Sequence, residues 1–299
     1  MKKFDFVAFL PKALMISAAI MVVGLLCNVI FGTQMDISFK GGTQVRYQCV
    51  ESVEMDENKV VELAKKHLGN DVKWQMDELE GKDMITISRA GETDAEKINA
   101  LKADLEKLDM IEQSRDSLSP SKGTKFLLRC LLALGLAAVL LIVYVGFRFR
   151  RIGGVPAGVS ALIALVHDLL IVYFAFVIFG LELNDNFVAV MLTILGYSLN
   201  DTIVIFDRVR TLRRRSNAPL ADVVNESLHH VLRRTIITTV TTCLAILAVL
   251  VVALVMNVDS IVSFALPMLL GAISGSYSSL FLSGPIWVRW MNRKAAKNA

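Results

Sequence analysis

The sequence predicts a polytopic α-helical membrane protein: six transmembrane helices plus a small α+β domain of ferredoxin-like order, inserted after the first helix. Three observations carry this expectation. Hydrophobic residues make up 54% of the 299-residue chain, its mean hydropathy is +0.54, and the apolar residues gather into runs of membrane-spanning length. Basic residues fall on alternate connections between those runs. The one long polar stretch, residues 33–123, alternates strand-like and helix-like periodicities.

The first run, 13–31, follows Lys2, Lys3 and Lys12 and imitates a signal peptide. No small-x-small site follows it, and Leu26 stands before Cys27 where a lipoprotein box needs a small residue, so it reads as an uncleaved anchor. In the polar stretch, 43–50 alternates like a strand and 58–68 repeats its apolar residues at helical spacing. Residues 72–75 and 84–88 are strand-like, and 93–108 is an amphipathic helix opened by Thr93 with Glu96 in capping-box register. A short strand at 110–113 completes a βαββαβ order, a split sheet with two helices on one face. Its 19 acidic against 13 basic residues suit a solvated domain and identify no ligand. His67, its one histidine, reads as a helix C-terminal charge rather than a base. Gly41 and Gly42, where the chain passes from the first helix to the sheet, permit a tight turn and so a conformational joint; a plain turn is the alternative.

Five further runs follow at 126–147, 155–179, 187–206, 235–256 and 261–290. The last exceeds what a bilayer requires and is expected to tilt or to project. Arg148, Arg150 and Arg151, then Arg208, Arg210, Arg213, Arg214, Arg215, Arg233 and Arg234, then Arg293, Lys294 and Lys297 all fall on the side of the N-terminus. By the positive-inside rule both termini are cytoplasmic, and the short turns at 182–186 and 257–259 face outward. The chain thus divides into residues 1–32 (cytoplasmic N-terminus and first helix), 33–123 (outer domain), 124–292 (five-helix remainder) and 293–299 (cytoplasmic tail). The net charge of +4 is topology information, and the 213–215 arginines read as a lipid-facing anchor rather than a nucleic-acid patch. Three of the four cysteines, Cys27, Cys130 and Cys243, lie in spans and Cys49 is alone in the outer domain, so no disulfide is expected.

Asp201 is the most informative residue. It sits inside the fourth run, where an ionised carboxylate costs roughly 2.5–3.5 kcal/mol, so it is a candidate proton or ion site. Arg234 heads the fifth run and is the candidate partner cation; Thr235, Thr238, Thr239 and Thr242 follow it at helical spacing as a polar face. The plain alternative is that Asn200, Asp201 and Thr202 join helices through hydrogen bonds worth about 0.6 kcal/mol each. Small residues form seams at Gly196 with Asn200, and at Gly271, Gly275, Ser279 and Ser283.

Three patterns are similar to those of a known family: Ser38-Phe39-Lys40-Gly41-Gly42-Thr43, then Gly196-Tyr197-Ser198-Leu199-Asn200-Asp201-Thr202-Ile203-Val204-Ile205-Phe206-Asp207-Arg208, and Arg234-Thr235-x-x-Thr238-Thr239. With six spans and an outer domain in the first loop, the chain resembles the SecD/SecF protein-translocase family of the resistance-nodulation-division superfamily. It departs from the family pattern at Ser38, where the family has Asp. The resemblance implies a bacterial inner-membrane protein with a periplasmic domain, paired with SecD and working beside the SecYEG translocon on a translocating preprotein, with YajC, YidC and membrane lipids as further partners. It implies proton-motive-force coupling through Asp201 and Arg234, with protons as coupling ion and no other cofactor. His167 and Asp168 resemble a family His-Asp pair and are expected, with Asn200, Thr235, Thr238 and Thr239, to support the site; Gly41 and Gly42 are the expected hinge.

One bundle without an internal repeat suggests half a transporter. The rival functions are a proton-driven exporter of small molecules or lipids, for which a domain of about 90 residues is too small to enclose a drug-sized pocket, and a non-conducting scaffold of the translocon. An enzyme is not expected, since no catalytic triad, metal-ligand cluster or phosphate loop is present in the sequence.

Overall fold

The computed structural model describes residues 4–50, 56–79, 82–91, 93–118 and 120–298; Lys2 and Lys3 lie outside the described residues. Six helices are long and apolar enough to cross a membrane. They are α1 (Phe6–Phe31), α5 (Pro120–Arg148), α6 (Gly154–Ile178), α7 (Asp185–Arg213), α8 (Leu220–Val255) and the combined α9 (Asp259–Ser278) and α10 (Gly284–Asn298). The four-residue α2 (Ile37–Lys40) and the outer domain lie between α1 and α5.

The helices divide by exposure. About half of the most apolar stretch of α6 and of α7 is buried within the protein, whereas that of α5 contributes no buried residue. Leu128, Leu132, Leu136, Val139 and Val143 on α5, and Leu244, Val251 and Val252 on α8, are exposed, as helices facing lipid or another bundle must be. The core between α5, α6, α7, α8 and α10 contains Phe149, Leu199, Phe206, Leu228 and Trp287. Glycines let α9 approach closely: a Cβ on Gly271 would stand 2.7 Å from Ile194, and one on Gly275 3.0 Å from the Ser198 Cβ. By contrast, a Cβ on Gly196 meets nothing within 4 Å, so that half of the expected seams is not packed within this chain. Between α9 and α10, Ser279–Ser283 form a π-helical turn, which lets the long sixth segment bend without a break.

The start of α1 is tied to α8. The Asp5 carboxylate caps α1 by accepting from the Ala8 amide at 2.9 Å and also accepts from Asn225 Nδ2 at 2.7 Å. These two donors hold Asp5 below the ordinary carboxylate range, the Ala8 amide contributing most.

The outer domain has β1 (Gly42–Cys49), α3 (Glu57–Leu68), β2 (Val72–Leu79), β3 (Lys82–Ala90), α4 (Ala95–Glu106) and β4 (Met110–Leu118). The sheet order is β2-β3-β1-β4 with every pairing antiparallel, which is the ferredoxin-like arrangement the βαββαβ order specifies. Val45 and Tyr47 of β1 with Ile85 and Ile87 of β3 pack under Leu101 and Leu105 of α4 and Val60 and Ala64 of α3. Burial pushes the Tyr47 phenol up to about 12. The capping expectation fails at α4: its N-cap is Asp94, with no side-chain cap, and Thr93 Oγ1 is buried without a partner. Asp94 takes the place one residue later because the helix begins at Ala95.

The opposite face of the sheet carries Gln44, Ser88 and Lys73 in cross-strand register and meets the domain-side loops of the bundle across a polar cleft of about 720 Å³. Lys73 spans the cleft to Glu182 and to Gln34, the latter at 2.9 Å. Backbone bonds from Asp36 N to Leu183 O (3.0 Å) and Leu183 N to Gln34 O (2.9 Å) join the two parts.

Gly41 has φ +78, whereas Gly42 opens β1 in register with both Ala90 and Leu118. A Cβ on Gly42 would lie 2.2 Å from the Arg89 carbonyl oxygen. Gly41 and Gly32 (φ +70) at the end of α1 thus hold backbone conformations that favour glycine, while Gly42 is a site of close backbone approach.

His67 on α3 does more than end its helix: its Nε2 lies 2.9 Å from Asp104 Oδ2 on α4, and Lys107 donates to the other oxygen at 2.7 Å. Lys107 first and His67 second hold Asp104 down at about 2. A depressed carboxylate adds stability that is present above its unfolded value of about 3.9 and is lost as pH falls through the folded value. The thermal midpoint of wild type should therefore exceed that of Asp104→Asn at pH near neutrality, and the difference should close between about pH 4 and about pH 2, as followed by circular dichroism of the full chain in detergent.

Candidate functional site

The polar groups at membrane depth lie where α6, α7 and α9 meet. On α6, His167 and Asp168 follow one another in an otherwise apolar helix. Asp168 has no exposure, and its oxygens are saturated with donors. Ser198 of α7 and Ser278 of α9 both donate to Oδ2 at 2.6 Å. Ser274 of α9 donates to Oδ1 at 2.6 Å, and His167 Nδ1 lies 3.1 Å from the same oxygen. Hydroxyl donors at this distance suit a carboxylate acceptor. One anion thereby holds three helices together.

Asp201 stands one turn beyond Ser198 on α7, in the opposite condition. It is 7% exposed and its Oδ2 is buried without a hydrogen-bond partner. Its neighbour Thr202 bonds Ser279 at 2.9 Å, and Ser279 donates to the Ser198 carbonyl at 3.2 Å, so Ser198 of α7 lies between the two acidic centres. Asn200 points outward, exposed, and makes no hydrogen bond among the described residues.

Arg234 acts on Asp201 electrostatically, but no ion pair joins them among the described residues. Helix α8 begins at Leu220, well before Arg234. Arg234 is thus inside a helix, exposed, on the stripe it shares with Thr238 and Thr241, whereas Thr235 is buried and Thr239 half-buried. The threonines satisfy themselves on their own helix: Thr238 Oγ1 donates to Arg234 O at 3.0 Å and Thr239 Oγ1 to Thr235 O at 2.8 Å. Thr239 also bonds Ser276 of α9.

Arg234 lines a cavity of about 420 Å³ between α7 and α8, with Val204, Asp207, Arg208, Thr211 and His230. Positions 201, 204 and 208 fall on one stripe of α7, so the cavity approaches Asp201 from the arginine-rich end. Asp207 at its edge is paired with Arg210 at 2.6 Å and Arg148 at 3.2 Å, while Arg208 Nε is buried without a partner.

Ser274 and Ser278, both ligands of Asp168, were not singled out in the sequence. They sit four residues apart beside the Gly271, Gly275 and Ser279 seam, and that spacing was the available signal. Read as packing alone, the seam conceals that its adjacent stripe donates hydrogen bonds.

Residues 97–293 match the family described as protein export membrane protein SecD/SecF, C-terminal. The chain is 30% identical over 304 residues to the protein translocase subunit SecF of Alicyclobacillus acidocaldarius, covering 99% of this chain and 95% of that protein. It is 29% identical to the protein translocase subunit SecDF of Bacillus subtilis, covering 100% of this chain and 40% of that one. Among solved structures, SecDF in a super-membrane-facing form is 27% identical with a TM-score of 0.66 and is 40% covered. The translocon-associated SecDF of Thermus thermophilus shares the fold with a TM-score of 0.79 at 24% identity and is 39% covered. The chain therefore spans about two fifths of those fused proteins.

The cavity predicts water access. With Cys27, Cys49, Cys130 and Cys243 replaced by alanine, Val204→Cys and Thr211→Cys should react with a membrane-impermeant maleimide applied from the arginine-rich side, and Val252→Cys on the lipid-facing side of α8 should not. Equal, low labelling at all three would show that the cavity is closed to water.

Proposed function

Because the chain belongs to the SecD/SecF family of protein-export membrane proteins, we propose that it is the SecF-type half of a two-bundle assembly in which proton movement at Asp201 drives preprotein translocation. The single observation that carries this reading is a carboxylate at membrane depth with one oxygen unsatisfied, since a group held there at cost and without partners is poised to gain and lose a proton. It is the SecD-type partner that we expect to complete the surroundings of Asp201. Asn200, Gly196, Arg234 and Thr238 form an exposed, partly polar surface on α7 and α8, which hydrocarbon would not solvate and a second bundle would. The fused relatives, in which the matching region is part of a longer SecDF chain, support SecD in that place.

In this reading the arginine-rich ends of the helices are cytoplasmic and the outer domain faces the periplasm, beside the mouth of SecYEG; YajC and YidC are further candidate partners. Protonation of Asp201 removes its charge and with it the attraction to Arg234, changing the cost of holding α7 against α8. The cavity lined by Arg208 and Arg234 supplies the cytoplasmic route. A proton crossing the membrane potential brings about 2.3 kcal/mol per 100 mV, enough to bias a two-state packing by more than tenfold. The shift reaches the outer domain through α1 and the turns at Gly32 and Gly41, and through the bonds of Lys73 and Asp36 to the loop between α6 and α7, as a rigid-body movement.

The test is gradient-dependent export in membranes containing SecD and this chain, with wild type and Asp201→Asn at matched expression. Asp201→Asn should abolish the gradient-dependent component while leaving the complex assembled. Export equal to wild type would instead favour a scaffold that steadies the translocon without conducting protons.

A further inference from the structure

We propose that His167 and Asp168 form a second proton-binding site of the bundle, distinct from Asp201, in which His167 Nε2 takes up the proton and Asp168 stays ionised. We assign the roles of the atoms from the hydrogen bonds around them. Three serine hydroxyls donate to Asp168, and an oxygen that accepts from all sides is a carboxylate rather than a carboxylic acid. The imidazole facing it at 3.1 Å then donates through Nδ1–H, which leaves the lone pair on Nε2. That Nε2 is buried and has no hydrogen-bond partner among the described residues, and His167 as a whole is 8% exposed.

Adding a proton to Nε2 creates an N–H bond and an imidazolium; no other bond is made or broken. The imidazolium and Asp168 sum to zero charge, so uptake cancels the one net charge of the cluster. The neighbours offer nothing else to do so. From α9, the Tyr277 ring lies tilted with its centroid 5.9 Å from that of His167 and directs its hydroxyl to the Ala13 carbonyl of α1 at 2.8 Å. Ser17 is the α1 side chain within reach of that hydroxyl. On α7 the next acid is Asp201, one turn past Ser198; α5 carries no charged residue over 130–147 and α10 none before Arg289. No lysine or arginine among the described residues pairs with Asp168.

The two sites differ in what a proton does. At Asp201 it would relieve an unsatisfied oxygen. At His167 it would tighten an existing contact, because the ring becomes a cation beside its anion and Nε2 acquires an N–H that demands an acceptor. The acceptors available to a rotated or displaced α9 include the hydroxyls of Ser274 and Ser278, so uptake favours a different packing of α6 against α9.

What this site contributes to export rests on the proton-coupling reading above; its proton binding does not. The experiment is solid-state NMR of the full chain in lipid nanodiscs with 15N-histidine, titrated from about pH 5 to about pH 9. The His167 signal is identified by its loss in His167→Gln. Nε2 should convert from a bare ring nitrogen to an N–H as pH falls, while Nδ1 remains protonated throughout. Asp168→Asn should weaken proton uptake by about tenfold or more through loss of the facing charge. Where Asp168→Asn does not fold, Ser278→Ala, which leaves the carboxylate one donor fewer, should strengthen uptake. An Nε2 that stays bare, or stays protonated, across the whole range, or that ignores the substitution, overturns the proposal. Asp201→Asn should leave the titration in place. If Asp201→Asn exports normally and His167 still titrates, the coupling reading falls and this site stands.

Discussion

Low dielectric makes an isolated charge so costly that the bundle must either surround a carboxylate with donors or leave it ready to be neutralised. Both solutions occur on neighbouring helices, Asp168 on α6 and Asp201 on α7, one turn beyond the Ser198 that donates to Asp168. Asp168 is solved by geometry: its serine donors come from α7 and α9, so α6, α7 and α9 can hold only one relative rotation while the anion is ionised. Glycines at 271 and 275 make the donation possible by bringing α9 within reach of α7. Asp201, with Ser198 of the same helix committed to Asp168, has no such donors. The rigidity of one centre fixes the deprivation of the other.

The outer domain follows the same logic with softer means. Its sheet is held by apolar burial on one face, and the other face is joined to the bundle by a lysine, two side-chain acceptors and a pair of backbone hydrogen bonds. Polar joints across a wet cleft exchange readily for water, so each contributes little net free energy. The domain's own core is thus apolar, whereas its sheet meets the bundle through polar contacts.

Much of this was legible in the sequence. Runs of apolar residues locate spans because backbone groups in lipid must be satisfied internally, and the alternation around Val45, Tyr47, Ile85 and Ile87 locates a sheet that buries one face. Asp201 was conspicuous because an ionisable side chain inside an apolar run is costly. Three features were not legible. The continuation of α8 back to Leu220 is hidden because a helix that leaves the membrane loses its apolar signature without losing its hydrogen bonds. The Asp201–Arg234 separation depends on helix rotation, which residue spacing does not encode between different helices. The serines around Asp168 are short polar residues in apolar helices, and only the three-dimensional seam shows that all three turn toward one acid.

The π-helical turn at Ser279–Ser283 sets the phase of the sixth segment. An α-helix advances about 100° per residue, so a turn holding one residue more shifts the phase of everything beyond it. Upstream, Ser274 and Ser278 face Asp168; downstream, Trp287 fills the core against Phe206. A single helical register would have turned one of these outward. Because of the wide turn, the polar stripe that serves Asp168 and the apolar stripe that serves the core need not share one face of a single straight helix.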